Sequence, residues 1–242
     1  GWGWDELRYA HYMAQYPSER FCDILGNAHN LPLHLAFVWG VPVAVALCTL
    51  VLWLIWRSRP WRTADAGEQL AWGVLGMIGL HSLLEFPLWY GPFQMACLLC
   101  LWILGGQVWT ATHALRLPGV LASALIALVA FVTYDYLQVR QIYLPASARL
   151  PWWPHSAMET SRRSWVFEST AAFADITTTE VRPDNAAWML DESLYLLHYS
   201  PEPRVIRKVI ESAETAGEHD LAQWHRQQLK AVYPKDPLSL MN

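Results

Sequence analysis

Between residues 31 and 139 the chain holds four stretches with almost no charge, and no other feature constrains its fold as much. The first, from about Leu33 to Trp56, has no Asp, Glu, Lys or Arg. At about 1.5 Å of rise per residue, a helix of that length spans a bilayer with some tilt. Arg57, Arg59 and Arg62 follow at once, with Trp53, Trp56 and Trp61 around them. Long basic side chains reach toward head groups and tryptophans settle at the same depth, so this reads as a membrane edge. The second stretch runs from about Leu70 to Trp89 and the third, which is short, from Phe93 to Trp109. The fourth, Pro118 to about Val139, carries only Asp135 near its end. The alternative is a set of buried helices in a soluble protein. Tryptophans at the ends of the stretches argue against it, and so does composition. Charged residues are 16% of the chain, against about 25% in globular proteins. Apolar residues are 54%, with 15 tryptophans, which excludes a disordered chain and weighs against a free soluble enzyme. The net charge of −4 implies no nucleic-acid partner. The expected fold class is all-α, with about four membrane helices and a helical tail.

Loop charges give an orientation. Residues 57–68 carry three arginines against Asp65 and Glu68, and the loop around His113 and Arg116 is also basic. The connection from Glu85 to Pro92 has no Lys or Arg. The positive-inside rule places the two basic loops in the cytoplasm. Residues 1–30, the Glu85–Pro92 turn and everything after about Arg140 then lie outside, which in a Gram-negative cell is the periplasm. Three segments follow: 1–30 as the end of a large periplasmic loop, 31–139 as the membrane region, and 140–242 as a helical periplasmic domain. Tyr143 to Pro154 is rich in Pro and Trp and reads as an interfacial linker. Helical periodicity with ordinary polarity returns from Thr160. Trp188, Leu190, Leu194 and Leu197 suit an amphipathic helix. Arg204 to Ala216, Gly217, then Glu218 to Val232 reads as helix, turn, helix. That resembles a single tetratricopeptide-like hairpin; a generic helical pair fits as well. The opening GWGWDELRYAH has no initiator Met and no apolar signal segment, so the chain is expected to be a piece of a longer protein.

Two clusters carry chemistry. His29 and Asn30 sit just outside the first apolar stretch. A histidine there can be a plain surface residue capping a helix. It can also be a general base, because an imidazole takes a proton near neutral pH. His81 and Glu85 are spaced i, i+4, which puts them on one helix face in or near the hydrocarbon. An ionisable group there is costly and reads as functional unless it serves as a hydrogen bond clamping helices. Pro87 and Pro92 are expected to end or break that helix. Gly73, Gly76 and Gly79 suit close helix packing. Cys97 and Cys100 form a CxxC inside an apolar stretch and read as small apolar residues, and Cys22 as a lone outer thiol. Four cysteines are too few for a disulfide scaffold and lack zinc spacing.

The first cluster resembles a known signature. His29-Asn30, nine residues and Gly40 match the motif of the O-antigen ligase and protein O-oligosaccharyltransferase superfamily. After two intervening residues that motif ends on Gly, Thr or Tyr, where this chain has Val43. NAHNLPLHLAFVWGVP is similar to the version in pilin-glycosylating ligases. HSLLEFPLWYGPF is similar to the start of the C-terminal region shared with membrane-bound polymerases called virulence factors. GWGWDELRYAH resembles the periplasmic loop just before the His-Asn motif. The resemblance covers residues 1–110 well, while the tail matches only in kind.

The resemblance implies a multi-pass glycosyltransferase of the bacterial inner membrane. It would move a glycan en bloc from undecaprenyl pyrophosphate to a Ser or Thr hydroxyl of a pilin-like protein. The alternatives are O-antigen or capsule polymerisation, or ligation to lipid A core. Another class of reading is a non-catalytic membrane scaffold whose tail binds a partner. No metal and no cofactor are expected. His29 would take the acceptor proton, with Asn30, His81 and Glu85 as its companions at the catalytic site. Arg8 and Arg20 are the only arginines before the first stretch and would face the leaving pyrophosphate. Further arginines would come from upstream spans, so the piece alone is expected to be inactive.

Overall fold

A charge-free run does not fold as one helix here, because Gly40 breaks it. In the computed structural model, which describes residues 1–16, 24–105, 117–151, 159 and 162–236, Gly40 adopts φ +91°. That conformation suits a residue without a Cβ. Pro42 then lies in the first turn of the next helix, where its missing N–H costs nothing. The expected Leu33–Trp56 span is therefore two helices, α2 (Leu31–Trp39) and α3 (Val41–Ser58). They follow α1 (Leu7–Met13).

The other apolar stretches are also trimmed. α4 (Ala66–His81) starts on Asp65, whose side chain accepts from the Glu68 N–H at 2.9 Å. It stops at His81, well before Pro87, and a 3-10 turn covers Pro87–Trp89. α5 is Gly91–Gly105; the end of the third stretch at Trp109 lies outside the described residues. α6 (Leu117–Arg140) is the longest of the described helices. Among the described residues, two helices are long and apolar enough to cross a bilayer, Val41–Arg62 and Gly119–Tyr143. The 16 residues of α4 make about 24 Å, short of the roughly 30 Å hydrocarbon core. The packing expected of Gly73, Gly76 and Gly79 is not present: open space lies over each of them among the described residues. Cys48, Cys97 and Cys100 are free thiols, and Cys22 lies outside the described residues.

The tail contains α7 (Glu168–Thr178), α8 (Ala186–Tyr199), α9 (Pro203–Ala216) and α10 (His219–Val232). The helix–turn–helix read from Arg204 to Val232 is α9 and α10, joined at Gly217 with φ +87°. Val205, Ile206, Val209 and Ala213 repeat at helical spacing on α9 and are fully buried against α7, α8 and α10. On α8, Leu190 and Leu197 are buried while Trp188 stays exposed. All described elements are helical, with no strand among them.

The chain divides into two compact units. One comprises Gly1–Ala10 and Leu25–Ala114, the other His11–Ile24 and Leu115–Asn242. Within the second unit, Asp135 explains the lone charge of the fourth stretch. It is buried and accepts from Ser164 Oγ at 2.9 Å and from the Val166 N–H at 2.7 Å. Ser164 Oγ in turn accepts from the Phe167 N–H at the start of α7. A buried carboxylate with several donors is stable where a bare one would not be. Also in this unit, buried Tyr12 bonds His225 Nδ1 at 2.8 Å. Burial pushes the His225 imidazole down to about 4.

Candidate active site

Asn30 explains why the chain turns where it does. Its backbone is extended, and its Oδ1 accepts from the Leu33 N–H at 3.0 Å, capping α2. Its Nδ2 donates to the Leu83 carbonyl at 2.9 Å, and the Leu31 N–H donates to the Ser82 carbonyl at 2.7 Å. These bonds tie the start of α2 to the turn that ends α4. The ladder partner of the Leu83 carbonyl would be residue 87, a proline with no N–H, so the bond from Asn30 satisfies an acceptor that a continued helix could not. Both polar atoms of the Asn30 side chain are thus engaged in holding two chain segments together.

That tie sets His29 beside Glu85. His29 Nδ1 and Glu85 Oε2 are 2.8 Å apart. The His29 backbone is left-handed, φ +49°, an uncommon state for a residue with a Cβ. Its N–H donates to Asn27 Oδ1 at 3.1 Å, and its ring meets Phe86 edge-on with centroids 4.8 Å apart. The two side chains are 50% and 51% exposed. A polar contact that wet contributes roughly 0–1 kcal/mol, so stability does not explain holding His29 in a left-handed backbone to form it. A carboxylate on Nδ1 fixes a proton there and leaves Nε2 as the lone-pair nitrogen. Base and orienting group within hydrogen-bond reach is the arrangement that proton abstraction from a hydroxyl needs.

The expected partnership of His81 with Glu85 is not formed. α4 ends at His81, so Glu85 leaves the helix and the i, i+4 face does not exist. Glu85 keeps a backbone bond to the His81 carbonyl but sends its carboxylate to His29. The His81 ring packs edge-on against Phe93, 5.6 Å between centroids. Arg8 is exposed on α1 and lies over Gly26, three residues before His29; a Cβ on Gly26 would come within 2.7 Å of its Nε. Arg20 lies outside the described residues.

Other neighbours were not singled out from sequence. Asn27 stands two residues before His29, the spacing of an Asx turn, and that signal was readable. Phe86 adjoins Glu85. His34 is buried one turn into α2, edge-on to Trp89 at 5.1 Å, while Trp4 stacks on the same Trp89 at 6.2 Å. The Trp2 N–H donates to the Phe37 carbonyl at 2.8 Å, which pins the chain start along α2. Behind the tie, an apolar groove of about 530 Å³ runs between α2, α3, α4 and α5. Leu31 and Leu83, on either side of the Asn30 bond, are among its lining residues, with Leu35, Val51, Leu75 and Ile78 further along.

A family model described as virulence factor membrane-bound polymerase, C-terminal, matches residues 69–240. No curated protein and no solved structure matches the chain.

Proposed function

This chain belongs to the virulence factor membrane-bound polymerase C-terminal family, a group of polymerase- or ligase-type membrane glycosyltransferases, and from that premise we propose a specific transfer reaction. The enzyme moves a glycan en bloc from undecaprenyl pyrophosphate to a Ser or Thr hydroxyl of a pilin-like protein in the periplasm. The observation that carries this reading is the 2.8 Å contact of His29 Nδ1 with Glu85 Oε2. Glu85 orients the ring, and Nε2 takes the hydroxyl proton as that oxygen attacks the anomeric carbon. The bond from that carbon to the pyrophosphate breaks, and the lipid pyrophosphate leaves with the electron pair. Asn30 is a positioning residue, through its bonds to Leu33 and Leu83. Arg8, over the loop that leads to His29, supplies positive charge to the leaving group, as does Arg20. His81, whose ring packs against Phe93, takes the role of helping to hold the acceptor.

The surroundings support a lipid-linked donor at a membrane edge. The apolar groove beside Leu31 and Leu83 suits a polyprenyl chain, and in this reading the head group lies near His29. We read four spans, in the order α2–α3, α4, α5 and α6, with residues 57–68 in the cytoplasm and 140–242 in the periplasm. Apolar side chains face outward on all of them, Leu52 on α3, Met77 on α4, Leu98 on α5 and Ile126 on α6. The helix–Gly217–helix pair supports a tetratricopeptide-like tail.

A second reading is favoured by the family's own description: polymerisation, in which the acceptor is another glycan on lipid. One experiment separates the two. Cells lacking their own ligase receive a lipid-linked glycan, a pilin-like acceptor and the full natural polypeptide, and the acceptor is weighed by mass spectrometry. A glycan-sized gain with wild type, lost in His29→Ala by about 100-fold or more, is the expected result. Longer glycans on lipid with no acceptor gain would establish polymerisation. Full transfer by His29→Ala would remove it as the base.

A further inference from the structure

The tail holds a cavity that the reaction above does not use. It has a volume of about 290 Å³ and lies between α7 and α8. Ala171, Ala172 and Asp175 come from one face of α7, and Trp188 and Glu192, at i, i+4, from α8. The two alanines leave the room that larger residues would fill. Arg162 closes one end. Its Nε donates to Asp175 Oδ2 at 2.7 Å, and its guanidinium lies over the Trp188 ring, 5.8 Å from the centroid. Glu168 stands at the rim.

Three classes of ligand can be weighed against these groups. An anion meets Glu168 and Glu192, whose charges nothing in the cavity offsets once Arg162 is spent on Asp175. A cation would seek an aromatic face beside a carboxylate, and the Arg162 guanidinium over the Trp188 ring repels a second positive charge there. A neutral polyol meets no such obstacle. Carboxylates accept from hydroxyls, the guanidinium N–H groups not taken by Asp175 donate to ring or hydroxyl oxygens, and an indole offers an apolar face to C–H groups. Trp188 is 44% exposed, so part of its ring is open to a ligand. The volume is at the lower end of ligand pockets, about 300–1,000 Å³, and fits a ligand the size of one or two sugar rings.

The geometry points to a sugar-binding site in the tail, in which Trp188, Glu192 and Arg162 hold one neutral saccharide unit away from the reacting carbon. The choice of saccharide rests on the glycan chemistry proposed above. In function the site would hold part of the glycan, donor or product, by contacts that take no part in proton transfer.

The test uses the full chain in lipid nanodiscs and saturation-transfer NMR. The probes are maltose, diacetylchitobiose and digalacturonic acid, with trilysine as the cationic competitor. The expected result is saturable binding of a neutral disaccharide and none of the acidic one. Trp188→Ala weakens it about tenfold, Glu192→Gln weakens it less, and His29→Ala leaves it unchanged. Trp188→Phe, which keeps a ring, retains part of the binding and covers the case in which the alanine variant fails to fold. Binding that is indifferent to Trp188 and Glu192, or absent for both neutral probes, overturns the site. Stronger binding of trilysine than of either sugar overturns the choice of ligand. Loss of binding in His29→Ala alone moves it to the reaction centre. Intact sugar binding with no transfer by any variant would instead count against the proposed reaction and leave this site standing.

Discussion

Two sets of apolar helices occur in this chain, and they are built in opposite senses. On α3, Leu52 and Trp56 are 67% and 71% exposed, and α6 presents Leu125 and Ile126 outward in the same way. On α8 and α9, residues of the same chemistry, Leu196, Ile206 and Val209, are completely buried. The tail excludes water by packing helix against helix, each buried aliphatic contributing about 1.5–3 kcal/mol. The membrane helices leave their apolar faces out, which is stable only in a medium as apolar as they are. The difference teaches that the tail carries its stability in internal packing, while the spanning region depends on what surrounds it.

That comparison can be broken. Ile206→Ala in the tail should cost about 2–5 kcal/mol through the cavity it leaves, while Leu52→Ala should change stability by less than about 0.5 kcal/mol. Chemical unfolding of the full chain in nanodiscs measures both, and equal effects would erase the distinction. The tail should also be the acid-sensitive part. His225 stays neutral in the fold down to about pH 4, whereas an unfolded histidine takes up its proton near 6.5. The unfolded chain therefore binds the extra proton across that window. Stability is complete above pH 6.5 and falls toward pH 4, by on the order of 3 kcal/mol. Denaturation curves across this range should flatten in His225→Gln; an unchanged slope would take the effect away from His225. A smaller effect sharpens the spanning side. Asn30→Ala removes the α2 cap and should cost about 1 kcal/mol of stability, while transfer drops further than that loss explains. Equal losses in folding and transfer would make Asn30 a structural cap only.

The tail was legible because its signals are local. Val205, Ile206, Val209 and Ala213 recur at helical spacing, and Gly217 supplies the left-handed turn between two such runs. The membrane region was legible as apolar but not in its breaks. Gly40 followed by Pro42 was a readable stop, masked by the uniform apolarity around it. Pro87 signalled that the second stretch would break, but not that α4 would stop at His81, nor that Asn30 and Leu31 would bond the carbonyls beyond it, some 50 positions away. The site divides along the same line. His29 and Glu85 were both singled out, but sequence spacing paired Glu85 with His81, four residues off, when its partner lies 56 residues away. Tyr12 and His225, 213 positions apart, left no trace that sequence reading could follow.

The most direct test of the account is a double-mutant cycle on transfer rate with His29→Ala, Glu85→Gln and the pair. If Glu85 acts by orienting His29, its loss should lower the rate about tenfold or more alone and add almost nothing once His29 is gone. Independent, additive effects, or full activity in Glu85→Gln, would contradict the account.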